Sequence, residues 1–348
     1  MGRFVAGDAP ELDRALADAL SEIGGEIDAM RVPSLAGVVL GGGYGRGEGG
    51  ARACKVERAT SQVEGVPAVE CRLSNDLDFF AITEEGATDA DAAAVAAALE
   101  PLSRRWSEKL GIDVDFTGRT PWRLRHDQER LMVQELLHGY VDVAGAAGES
   151  LFARIERREP SDLPWMEAAR LLMNRGMGLL LAKCRIESAE CKVDTSSAVG
   201  CRSSGADSGF IDRNINKCIL GAGDARLIAN RSYRWRVPER AEALRDPIYR
   251  DAVAWKFRPT GNAVCDWDTA RDVWRAAYEE VMAIGARRGE LGRSLRQAAR
   301  WIARRRTFGE PASFGQNCTV RVLRGIARCV EARAPIPPSL RRDWEIFN

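Results

Sequence analysis

Residues 38–50 read VVLGGGYGRGEGG, and residues 73–83 read LSNDLDFFAIT. The first closes a short apolar run, Leu35 to Leu40, that stops at glycines, the pattern of a buried strand running into a turn. The second sets Asp76 and Asp78 two residues apart in a strand expected from Asp76 to Ile82, so both carboxylates share one face while Leu77 and Phe79 point into the core. Like charges on one strand face repel, and a cation between them removes the penalty. Residues 111–116, GIDVDF, repeat the device: Asp113 and Asp115 alternate with Ile112, Val114 and Phe116. If the two strands are neighbours, three or four carboxylates converge into the all-oxygen donor set that Mg²⁺ prefers. The glycines after Leu40 would let backbone N–H groups approach phosphate without side-chain obstruction.

Outward from this segment, the chain alternates helix and strand up to residue 150. Leu12, Leu16, Leu20, Ile23 and Ile27 fall at helical spacing within 11–30, and further helices are expected over 87–110 and 124–137, with an edge strand at Tyr140–Ala144. From Trp165 the period is helical: 165–185, 210–230, 238–244, 247–257, 268–287, 291–306 and 318–332, with a polar loop over 187–209. The fold class is therefore an α/β (α+β) mixed-sheet domain over 1–155 followed by an all-α domain over 156–348.

Composition narrows the chemistry. The 348 residues are 45% apolar and 29% charged, as in a globular protein, and no apolar run reaches the roughly 20 residues of a membrane span. A cytoplasmic location without membrane contact is the expectation. Nine cysteines are scattered without zinc-like spacing and read as small buried hydrophobes; the two histidines, His126 and His138, are too few for a multi-histidine metal site. Any catalytic metal should then rest on carboxylates. Net charge is +1, yet residues 281–348 hold fourteen Arg and no Lys against five acids. The helix expected over 291–306 puts Arg293, Arg296, Arg300 and Arg304 on one face, a solvated surface first and a polyanion site second.

The glycine turn, the Asp-x-Asp strand and the later acid resemble the DNA polymerase β-type nucleotidyltransferase superfamily. Gly42 and Gly43 fill its paired turn position, Tyr44 to Glu48 continue it, Asp76 and Asp78 match the metal-binding pair, and Asp115 or Asp113 matches the third acid. The resemblance covers roughly residues 10–145 and implies a nucleotidyltransferase-like sheet, two Mg²⁺ ions (or Mn²⁺), and transfer of a nucleoside monophosphate from an NTP such as ATP with release of pyrophosphate. It implies catalytic roles for Asp76, Asp78 and Asp115, metal ligation by these and Asp113, and nucleotide contacts from Gly42, Gly43 and Arg46. Gly43 stands where the family often has Ser, and residues 51–72 lengthen the gap to Asp76; a β-hairpin over the nucleotide would account for them.

Among polar residues of the helical half, Asn174, Arg175 and Lys183 share one expected helix and Arg213, Asn214, Lys217 and Asp224 another, with Lys217 and Lys183 the first choices for a nucleotide contact. The acceptor (protein, RNA or small molecule) is not written in the sequence. Two other readings remain open: a non-catalytic NTP-binding module, and a nicotinamide oxidoreductase. The second arises because Gly45, Gly47 and Gly50 satisfy GxGxxG, a pattern that requires a helix to open at the last glycine.

Overall fold

The structure is a computed structural model and describes residues 2–7, 9–56, 68–145, 147–194, 205–291 and 318–347. Its contacts divide the chain into two compact units, one of residues 1–159 with 256–260 and one of 160–255 with 261–348. Residues 256–260 thus belong with the first unit despite their distance along the chain.

The first unit is a four-stranded mixed sheet with helices on both faces. Its elements are α1 (Pro10–Met30), β1 (Leu35–Leu40), the one-turn α2 (Gly42–Gly45), β2 (Ala51–Val56), β3 (Ala68–Leu73), β4 (Leu77–Thr83), α3 (Asp89–Leu110), β5 (Val114–Arg119), α4 (Pro121–His126), α5 (Leu131–Leu137), β6 (Val141–Ala144) and α6 (Ala147–Phe152). Strand order is β5-β4-β1-β6; β1 is antiparallel to β4 and β6, and β4 is parallel to β5. Alternation sorts the side chains. Val38, Leu40, Leu77, Phe79, Ala81 and Val114 pack under α1 and α3, whereas Val39, Phe80 and Ile82 pack under α4, α5 and α6. Thr88 and Asp91 form a reciprocal capping box at the start of α3, and Gly111 ends it with φ +68°.

The single helix expected over 124–137 is two, α4 and α5. At the break, Asp127 N–H and Arg130 N–H close turns onto Arg123 O and Asp127 O, so the helical ladder is interrupted. Residues 51–56 and 68–73 form an antiparallel hairpin, and its connection, 57–67, lies outside the described residues. Because a strand and not a helix follows Gly50, the GxGxxG pattern lacks the helix that the dinucleotide fingerprint needs.

The second unit is helical: α7 (Trp165–Asp194), α8 (Gly205–Ala229), α9 (Val237–Leu244), α10 (Pro247–Phe257, whose last two residues join the first unit), α11 (Trp267–Arg287), α12 (Cys318–Ala332) and α13 (Pro338–Phe347). Of the segment expected as a loop over 187–209, residues 187–194 and 205–209 are helical and 195–204 lie outside the described residues. Helix α7 runs through Asp194 and α8 opens at Gly205. The helix expected over 291–306 falls outside the described residues from 292 onward. Three buried tryptophans tie the unit together, each indole N–H donating to a carbonyl of a neighbouring helix: Trp165 to Val281 (2.8 Å), Trp267 to Leu179 (2.8 Å) and Trp274 to Leu172 (3.0 Å). Among the described residues no helix is long and apolar enough to cross a membrane.

Candidate active site

Parallel pairing of β4 with β5 decides the geometry of the carboxylates. Asp78 and Asp115 are direct register partners, flanked by the pairs Leu77–Val114 and Phe79–Phe116. Partners in register project to the same face of a sheet, with strands roughly 4.8 Å apart. Leu77, Phe79 and Val114 are buried while Asp78 and Asp115 are exposed, so both carboxylates stand on the opposite face from that core. Asp76 and Asp113 lie just ahead of the two strands, and Leu77 N–H donates to Asp113 O at 2.9 Å, which keeps the two lead-in segments together. The two Asp-x-Asp segments expected to meet are therefore adjacent.

The glycine turn lies against the same carboxylate. Gly41 N–H donates to Asp78 O at 2.9 Å, and Gly42 has φ +61°. A Cβ at Gly42 would sit 2.5 Å from Asp78 Oδ2, so glycine is required there both by the left-handed backbone and by the approach of the carboxylate.

Tyr44 fixes this turn to the start of β4. Its fully buried hydroxyl donates to Gly50 O (2.8 Å) and accepts from Ser74 N–H (3.0 Å) and Asn75 N–H (3.2 Å), while Asn75 Oδ1 accepts from Gly50 N–H at 2.6 Å. Burial pushes the phenol above its ordinary value; the two backbone N–H donors oppose this and the charge of Asp76 reinforces it. Tyr44→Phe would orphan the Asn75 N–H and leave Ser74 N–H and Gly50 O with only their mutual 3.3 Å bond, in the segment that leads into Asp76. A loss of about 2 kcal/mol is expected. The check is a thermal melt together with faster hydrogen exchange at the Ser74 and Asn75 amides; unchanged exchange there would refute this role for the hydroxyl.

Arg46 is held inside the turn. Its side chain is 12% exposed and pairs with Glu48 and with Glu135 of α5, each at 3.4 Å. The cation beside the turn is one that sequence reading missed. Lys256 Nζ donates to Glu48 O at 2.8 Å and lies 3.5 Å from where a Cβ on Gly43 would be. No motif marks this lysine, because it reaches the turn from over two hundred residues further along the chain.

The cations expected from the helical half are in the second unit. Lys217 is exposed on α8, and Lys183 pairs with Glu187 at 3.6 Å on α7. Asn174 accepts from Trp344 Nε1 at 3.0 Å, and Asp224 takes part in a buried ion pair with Arg240. His138 Nδ1 bonds Gln134 O at 2.8 Å and His126 stacks on Trp122, so both histidines have structural partners.

Asp78 and Asp115 offer only hard oxygen donors, as Mg²⁺ requires. Such an ion is commonly held by one or two carboxylates, with water and substrate phosphate completing its shell. Among the described residues no three His, Cys, Asp or Glu side chains surround a common point. Compared with known proteins, the chain matches no family model, no curated protein and no solved structure.

Proposed function

We propose that the first unit catalyses Mg²⁺-dependent transfer of a nucleoside monophosphate from an NTP to an acceptor hydroxyl, releasing pyrophosphate. One observation carries the reading: Asp78 and Asp115 share a register position on adjacent parallel strands, with the Asp78 carboxylate against the left-handed turn at Gly42. A buried structural role would not need two acids side by side on an exposed face, since like charges there weaken the pairing.

In this reading Asp78 and Asp115, with Asp76 and Asp113 beside them, hold the metal. Bound there, Mg²⁺ supplies Lewis-acid polarisation of the phosphate and of the attacking hydroxyl. The turn lets backbone N–H groups near Gly42 and Gly43 face the phosphates. Lys256, beside Gly43, offers a positive charge to the pyrophosphate as the bond from the α-phosphorus to its bridging oxygen breaks. Asp115 accepts the acceptor's proton while the acceptor oxygen bonds to that phosphorus. Arg46 acts indirectly, since Glu48 and Glu135 share its guanidinium and hold the turn against α5.

The experiment is incubation of the full chain with α-labelled and γ-labelled NTPs, Mg²⁺ and cell extract. Label from the α-position should pass to an acceptor, and γ-label should leave as pyrophosphate. Lys256→Gln keeps a donor to Glu48 O but removes the charge, so KM for NTP should rise about tenfold with a smaller change in kcat. Release of γ-label as orthophosphate, or no nucleotide turnover with any acceptor fraction, would end the proposal.

A further inference from the structure

The face of β5 that carries Asp115 also carries Arg119, two alternations further on, roughly 13 Å along the strand. The opposite face is closed there, because a Cβ at Gly118 would collide with Ala92 O of α3. Arg119 is half-buried at the end of an edge strand, and its buried Nε has no hydrogen-bond partner among the described residues. Its charged surroundings are Arg130, Arg123, Asp127 and Asp89. Asp89 is already committed, accepting from Arg123 Nε (3.1 Å) and Nη2 (2.6 Å). Burial, then the charge of Arg130, pulls the Arg119 guanidinium below its ordinary pKa. A guanidinium whose buried Nε lacks an acceptor is costly, and an anion that accepts from it offsets that cost.

Three residues further on stands Trp122, 56% exposed, whereas Trp106, Trp165, Trp267 and Trp274 are buried. Its ring lies flat on His126, with centroids 4.8 Å apart and 8° between the planes, and the Arg123 guanidinium sits 5.4 Å from its centroid. An exposed indole needs no explanation by itself. An exposed indole–imidazole pair with one guanidinium over the indole offers the aromatic surface and charge that receive a nucleobase. The Cα atoms of Arg119 and Trp122 are at most about 11 Å apart, a span that one nucleotide can bridge.

We propose that Arg119, with Arg130 beside it, receives the phosphate of a nucleotide whose base stacks on Trp122, a second nucleotide subsite separate from the carboxylates. The phosphate belongs either to a free mononucleotide or to the end of a nucleic-acid strand. A nucleotide held there lies on the strand face that leads to Asp115, as an acceptor would; that role rests on the nucleotidyl-transfer reading, whereas the binding does not.

The test is fluorescence anisotropy of mant-AMP on the full chain in EDTA, with competition by AMP, adenosine and 5′-phosphorylated hexaadenylate. AMP should compete without any divalent ion, and adenosine at least tenfold more weakly. Arg119→Gln and Trp122→Ala should each weaken binding about tenfold, Trp122→Phe should retain it, and Asp78→Asn should leave it unchanged. Tighter competition by the hexamer than by AMP identifies a strand end as the source; equal competition identifies a free nucleotide. Trp122 is exposed, so its loss does not threaten the fold. Unchanged affinity in Trp122→Ala, adenosine as good as AMP, or no binding in EDTA overturns the subsite. Pyrophosphate release without binding in EDTA leaves nucleotidyl transfer standing and removes only the subsite; binding without pyrophosphate release does the reverse.

Discussion

Asp78→Asn should lower Mg²⁺-dependent pyrophosphate release by about a thousandfold or more, close to 4 kcal/mol of transition-state stabilisation. The substitution keeps the volume and the backbone pairing of β4 but removes the negative charge from the carboxylate that stands in register with Asp115 and lies against Gly42. The fold should survive. Taking away one of two adjacent like charges on an exposed strand face relieves repulsion, so without divalent ions the variant should melt at or slightly above the wild-type temperature. The separation appears when Mg²⁺ and NTP are added. The wild type gains thermal stability because the ligands bind only the folded state, and the variant should not. This second readout needs no knowledge of the acceptor. If Asp78→Asn retains turnover, or gains the same stability from Mg²⁺ and NTP as the wild type, the carboxylate pair is not the site.

The largest effect on folding is expected in the second unit, from Asp224→Ala. Asp224 Oδ2 accepts from Arg240 Nη1 at 2.9 Å and Asp224 Oδ1 from the Tyr249 hydroxyl at 2.6 Å, while the Arg240 side chain is only 4% exposed. The remaining donors of Arg240 are engaged by Arg234 O and Trp235 O, and its guanidinium lies over the Tyr233 ring. Burial pushes the Tyr249 phenol far above its ordinary value, with the Asp224 charge adding to the effect, so it stays a donor at any working pH. Alanine at 224 would strand a buried guanidinium and a buried hydroxyl together. Loss of one partner of such a pair costs about 3–5 kcal/mol, or a fall near 10 °C in the transition of the helical unit. Asp224→Asn, which keeps a partner for Tyr249, should cost less. Equal melting of Ala and Asn variants, or no change in either, would show that the pair does not support this unit. It also answers an expectation raised by the sequence, where Asp224 stood among polar residues of one helix that could meet a ligand.

Much of the fold was legible along the chain. Spacing alone located α1, β1, α3 and most helices after Trp165, because burial on one side leaves a period of 3.6 or 2 in the sequence. It failed where that period runs unbroken through a change of direction. Residues 124–137 keep their apolar spacing across the break at Asp127 to Arg130, since Leu124 and Val133, Leu136 and Leu137 enter the same core from two short helices. The stretch from Glu187 is rich in Ser, Gly and Cys and reads as loop, yet α7 continues to Asp194.

For the site, sequence supplied the parts and withheld the assembly. It determined that each Asp-x-Asp segment runs into a strand that carries its second acid, Asp78 or Asp115, and that a glycine-rich turn follows a buried strand, because alternation and glycine's backbone freedom are local properties. Only the tertiary structure decided that β4 and β5 are parallel neighbours in the register that sets Asp78 beside Asp115. Hydrogen bonding between strands distant in sequence has no local signature, and a slip of one residue would have turned one carboxylate to the other face. Tertiary structure also decided that Arg46 is enclosed by Glu48 and Glu135 while Lys256 comes to Glu48 and Gly43. Which cation reaches a turn depends on the path of the whole chain.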